Sequence, residues 1–292
     1  MGEVLRDEST DRARTLARLV EPVHAVTYYS REMADLTDVG YKGWWHAYFG
    51  YRPAPLGPVG PGVVTATFYN FAPRMVERAV PGVWSIRSPE QALAIRLERV
   101  TAALQRIFGD GAHAESVTAA ARLVRTAVDG AEVGGRPLFA AYAELDWPDD
   151  DLIALWHGCT LLREFRGESH NLALVADEVG PVASHVLMAG RGHGNRSTIL
   201  AIRGFTDEEW DEAVDGLVGS GWAHPDGTLT EAGITARSRI EAHTDVLCSG
   251  PVAALGGAFD AFVDAMIPLV THLSDTGEVS GRWPPDHLIK PE

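Results

Sequence analysis

The sequence has almost no lysine: Lys42 and Lys290 are the only two in 292 residues, and its arginines are scattered. Basic residues total 25 against 40 acidic ones, a net charge of −15, with a pI near 5.1. Affinity for nucleic acid comes largely from Lys and Arg displacing counterions, so a surface this acidic repels phosphate backbones. The balance argues against a nucleic-acid partner. Cysteine is scarce too. Cys159 and Cys248 stand far apart, neither in a metal spacing, and read as reduced core thiols, which places the chain in the cytoplasm. No run of eighteen apolar residues occurs, so no membrane span is expected. The N-terminus MGEVLRDESTDRARTLARL is charged and lacks the apolar stretch of a secretory signal. HxH, HxxxH and HExxH spacings are missing, so no metal site is expected, although haem or metal ligation by His24 and His170 stays conceivable. GxxxxGK[ST] and GxSxG are missing as well. The Gly-rich AGRGHGNRST then reads as a loop or lid, and no organic cofactor is expected.

What is present is an ordinary soluble composition, 46 % hydrophobic and 22 % charged, in a chain long enough for one large core or two. Helical signals dominate. Residues 11–38 read as a helix with a boundary or kink at Pro22. Ser88-Pro89-Glu90 opens another, with a serine cap and proline at the first helical position. Helices are also expected over 113–129, from DWPDDD at 146–151, after Thr206-Asp207-Glu208-Glu209 in capping-box style, and from Glu231 to Val246. VVTATFYNF is apolar and β-branched, AHPDGTLT reads as a tight turn between two extended pieces, and 268–292 as an irregular tail. In the densest stretch, 156–188, Gly167 suggests a break between two helices, with Arg163, Glu164, Arg166, Glu168 and His170 turned inward at the joint.

Two stretches repeat weakly. SPEQALAIRLERVTAALQRIFGDG matches TDEEWDEAVDGLVGSGWAHPDG in cap, helix and terminal turn, and LGPVGPGVV matches VGPVASHVL; duplication or chance would both account for them. In the second copy a helix ends in a small-residue turn, and Leu229, Thr230 and Gly233 form the LTxxG that opens the next helix. This resembles the winged helix of MarR-type regulators. With REFRGESHNLALVADEVGPVASHVL before it, the chain resembles a family of actinobacterial helix-turn-helix proteins. The resemblance implies a mainly α fold of tandem winged-helix-like units with small β-wings. The expected division is a helical, degenerate winged-helix-like half over 1–145 and a C-terminal winged-helix half over 146–292, with a homodimer through terminal helices. Its DNA readers carry basic residues on recognition helix and wing, where this chain offers Asp177, Glu178, His185, His224 and Asp226.

Two clusters carry candidate chemistry. The charged group at 163–170 is either a solvated face of weak ion pairs or a site in which Glu168 and His170 are the acid–base pair and Arg166 holds an anion. His24 is either a satisfied structural histidine or a second titratable group, with Tyr28 and Tyr29 orienting a ligand. Trp44, Tyr48, Arg52 and Tyr69 come from stretches with more rings and polar ring ends than one helix face can bury, which suits a ligand cleft as well as a core. The expected function is a small-molecule-binding protein on a repurposed winged-helix scaffold, an acid–base enzyme of specialised metabolism. The alternative is a ligand-responsive winged-helix transcription regulator, and the third reading is an interaction module.

Overall fold

The computed structural model of the chain describes residues 8–279; residues 1–7 of the charged N-terminus, and 280–292 with WPPDH, lie outside the described residues. Among the described residues 74 % are helical and no strand or sheet is present. The mainly α expectation holds, and the tandem winged-helix units with β-wings do not. At the expected wing a single antiparallel bridge joins Ala223 and Leu229. Asp226 Oδ1 accepts from the Thr228 amide at 3.0 Å, and Thr230 already caps the next helix. The turn therefore leaves no length for strands on either side.

Fifteen α-helices are present among the described residues: α1 Glu8–Tyr29, α2 Arg31–Ala34, α3 Trp44–Tyr51, α4 Pro61–Phe68, α5 Pro73–Glu77, α6 Pro89–Phe108, α7 Ala114–Asp129 and α8 Pro137–Ala143, then α9 Asp151–Ala176, α10 Pro181–Ala189, α11 Arg196–Arg203, α12 Asp207–Gly219, α13 Glu231–Leu247, α14 Ser249–Leu255 and α15 Phe259–Thr276. The expected capping box of Thr206 with Glu209 forms on α12, and the expected Ser88 cap on α6 is itself a capping box with Gln91. Residues 63–68 of the β-branched VVTATFYNF are helical. Pro61 starts α4, and Val64, Thr67 and Phe68 are buried along it, so packing overrides β-propensity. Residues expected to be an irregular tail are helical up to Thr276 in α15, because Phe262, Met266, Leu269 and Leu273 recur at helical spacing and are fully buried.

The axis is α9, which packs against α1, α7, α8 and α13. It runs through Gly167 without a break, so the expected joint there is absent. The corner falls at 177–180, where α10 leaves α9 at 102° and Glu178 takes a positive φ of 57°. The N-terminal half of α9 joins a first apolar core with α1, α3 to α8, α14 and α15. Ala173 and Leu174 at its other end belong to a second core with α10 to α13, built on Leu187, Ile199, Trp210 and Ile240. The expected boundary at 145/146 falls in the loop between α8 and α9. Ser249–Thr276 is long and apolar enough in composition to cross a membrane; here it is broken between α14 and α15, and its apolar side lines the first core.

Candidate functional site

Tyr48 and Arg52 lie one turn apart at the end of α3, so both reach the same side. Across from them α9 presents Arg163, Glu164, Gly167, Glu168 and Asn171, and α1 presents Tyr28 and Tyr29. The chain between α4 and α5 adds Asn70, and α11 adds its last residue, Arg203. Gly204, at a φ of 76°, ends α11 against Met75, which would lie 2.8 Å from a Cβ there. The Ala72 amide donates to the Arg203 carbonyl at 2.9 Å, tying α11 to the bundle. These residues enclose a polar, half-open cavity of about 270 Å³.

Three guanidiniums and three carboxylates line it: Arg52, Arg163, Arg203, Glu21, Glu164 and Glu168. The carboxylates are committed. Glu164, 1 % exposed, takes both arms of Arg52 at 2.9 and 2.7 Å. Burial opposes its ionisation, but Arg52 and Arg163 hold its pKa down to about 2. Glu168 accepts the Leu138 and Phe139 amides at 3.0 and 2.8 Å, capping the free N–H groups at the start of α8; burial nevertheless raises its pKa. Glu21, half exposed, stands 3.5 Å from Arg163 at the mouth. Arg203 is packed over the Phe71 ring at 4.4 Å and reaches Asn70 Oδ1 at 3.4 Å. Burial, with Arg52 and Arg163 facing it, lowers its pKa to about 10. Arg203 thus closes this end of the cavity, beside Arg52 and Arg163.

The structure brings six of the expected site residues to one cavity: Tyr28, Tyr29, Tyr48, Arg52, Glu168 and His170. The other four stand apart. His24 is fully buried behind Tyr28, sharing hydrogen bonds with its hydroxyl at 3.2 Å and with Thr160 Oγ1 at 3.1 Å, and burial keeps it well below its ordinary pKa. The indole of Trp44 donates to the Tyr28 carbonyl at 3.2 Å and stacks on Tyr48. Tyr69 donates to the Val179 carbonyl at 2.6 Å. Arg166 faces the other way along α9, 2.8 Å from the buried Asp245. His170 shares a hydrogen bond with Thr244 Oγ1 at 2.9 Å, and its pKa is lowered by burial against an opposing pull from Glu241. Glu168 and His170 thus each already serve a helix junction. Among the described residues no three His, Cys, Asp or Glu side chains converge on a metal position.

Asn70, Asn171 and Arg203 lie outside the expected site, and Arg163 and Glu164 belong to its charged cluster without an expected role. Arg163 and Glu164 carry a signal in sequence: with Gly167 and Asn171 they recur at three- and four-residue steps on one helix face. Arg203 carries none, since only the tertiary fold brings α11 to α3.

A family model described as a helix-turn-helix family matches residues 13–280. No curated protein and no solved structure matches the chain.

Proposed function

The chain belongs to the helix-turn-helix family, and on that premise we propose that it is a ligand-responsive regulator. Its receptor is the cavity lined by Arg52, Arg163 and Arg203, its ligand a small organic anion, and its responding part the unit of α10 to α13. The observation that carries this reading is the position of Arg203. It closes a helix of the second core, yet lines the same cavity as Tyr48 and Arg52 of the first. An anion held between Arg203 and Arg52 favours the arrangement in which the two parts lie close. Such a difference in affinity between arrangements is what lets a ligand shift a conformational equilibrium.

One observation favours a second reading, in which the chain binds or transforms a small molecule and has no DNA affinity. The exposed face of α12 is acidic, with Asp207, Glu208, Asp211, Glu212 and Asp215. Two measurements separate the readings. Native mass spectrometry of freshly purified protein detects a co-purified organic mass, expected in the wild type and diminished in Arg203→Met. Selection from a random duplex library at low salt, where phosphate contacts are strongest, is expected to enrich discrete sequences. Enrichment of none, with the bound mass retained, rejects the regulator and leaves the small-molecule protein.

A further inference from the structure

A second cavity, of about 240 Å³, lies beside the first. Its wall is largely apolar, with Ala13, Leu16, Ala17 and Val20 of α1, Leu162 and Phe165 of α9, and Pro251 of α14, and it also carries the paired Arg166 and Glu241. The two share Glu21, Arg163, Gly167 and His170. Both therefore run along one groove between α1 and α9, and Gly167 is the saddle between them. A Cβ at Gly167 would stand 3.1 Å from Arg163 Nη1, so even one methyl group crowds the guanidinium that spans the saddle. A mid-helix glycine costs about 1 kcal/mol relative to alanine, and here its open face lies where the two cavities meet. Each cavity alone falls short of the roughly 300–1,000 Å³ of ordinary ligand sites, and together they reach it.

We infer that the groove takes one elongated amphipathic organic anion, its charged head between Arg52, Arg163 and Arg203 and its alkyl or aryl body across Gly167 in the apolar cavity. The inference rests on the proposed ligand site and adds the ligand's shape. It follows from the order of groups along the groove: guanidiniums, tyrosine hydroxyls and carboxylates already held by Arg52, Arg163 and the α8 amides at one end, and mostly small and apolar side chains, with Arg166 and Glu241 among them, at the other. Arg163 sits between them, reaching Glu164 Oε2 at 3.4 Å on one side and Glu21 at 3.5 Å on the other. A carboxylate, sulfate or phosphate head satisfies the cationic end equally, so the test varies head and tail separately.

Calorimetric titration of the full chain with acetate, octanoate and dodecanoate measures the tail, and octyl sulfate, octyl phosphate and octyltrimethylammonium measure the head. The expected result is tighter binding with each added methylene, up to about fourfold per group, the fold-change equivalent to roughly 0.8 kcal/mol of buried CH₂. The cation is expected not to bind. Ala17→Leu, which narrows only the apolar cavity, flattens the dependence on chain length and leaves acetate unchanged. Gly167→Leu does the same by blocking the saddle, and a thermal melt first confirms that each variant is folded. Arg203→Met weakens every anion. Equal affinity for acetate and dodecanoate overturns the inference while leaving the anion site intact. Equal affinity for the cation overturns it as detergent-like adsorption. Binding of no anion at any length removes the inference and the proposed receptor together.

Discussion

Glu164→Gln tests the electrostatic frame of the cavity with a change of one atom. In the wild type Glu164 and Arg52 are 1 % and 9 % exposed and joined by two parallel hydrogen bonds. Removing one partner of a buried pair strands the other charge, which costs about 3–5 kcal/mol. Arg52 would keep the Tyr48 hydroxyl and its place over Phe68, but it would face Arg163 and Arg203 across the cavity without its hydrogen-bonded carboxylate. Against a typical total stability of about 5–15 kcal/mol, the loss is large, and urea unfolding followed by circular dichroism resolves it. Sulfate supplies an independent readout. It stabilises most folds by exclusion from their surface, so the quantity that matters is the gain in the variant minus the gain in the wild type. That difference is expected to be positive, because the anion can stand in for the missing carboxylate. Replacing both partners, Arg52→Met with Glu164→Leu, is expected to recover most of the stability, since an apolar pair of similar volume leaves no charge unpaired. A loss below about 1 kcal/mol, the range of exposed pairs, would refute the reasoning.

Gly233→Ala is expected to destabilise by about 1–3 kcal/mol through overpacking, because a Cβ there would lie 2.0 Å from the Trp222 carbonyl oxygen; an unchanged urea midpoint would contradict it. Thr206→Ala should cost about 1 kcal/mol by removing the cap on the Glu209 amide, with helicity by circular dichroism as the check. Acid sensitivity should begin above the carboxylate range. His157 and His185 are brought down to about 4, mainly by burial, so between about pH 6.5 and pH 4 the unfolded chain binds protons that the native chain does not. Stability then falls with pH by about 1.4 kcal/mol per unit for each such histidine. The contribution of Glu164, whose pKa is depressed to about 2, is present at neutral pH and lost only as pH drops below about 4.5. Denaturant melts at pH 7, 6 and 5 that superimpose would rule out the histidine part.

Local chemistry was legible wherever it decides the structure by itself. Caps such as Ser88 and Thr206 are local, and both helices begin where those residues place them. Glycine disfavours helix interiors, which is why Gly167 points to a break. That penalty is small beside the packing of α9 on five other helices, so the helix continues and the glycine serves the space above Arg163 instead. The wing failed for a related reason. Leu229, Thr230 and Gly233 fit a motif whose strands need length, and the Asp226 turn and the Thr230 cap use that length up. Gly233 keeps a physical role that does not depend on strands, since α13 starts so close to the Trp222 carbonyl that no side chain fits.

The site was legible in part, and the division follows a physical line. Tyr48 and Arg52, or Glu164 and Glu168, share a face by helical spacing, and such pairs can be read from sequence. Which pair a third element will meet cannot be read that way. Burial then sorts residues of one chemical type into different tasks: Glu164 neutralises Arg52, Glu168 caps α8, and Arg166 turns to Asp245 beneath the apolar cavity. Net charge misleads for the same reason. A chain at −15 suggests a surface that excludes anions, yet its buried guanidiniums Arg52 and Arg203 face one cavity lined also by Arg163. The outward charge bears on long-range partners such as duplex DNA. The inward charge bears on what enters the groove, and at contact distance in a poorly screened interior the arginines and carboxylates that line it outweigh carboxylates on the far surface. An acidic protein with an anion site is therefore no contradiction, and rising salt should weaken the repulsion at the surface before it weakens the attraction inside.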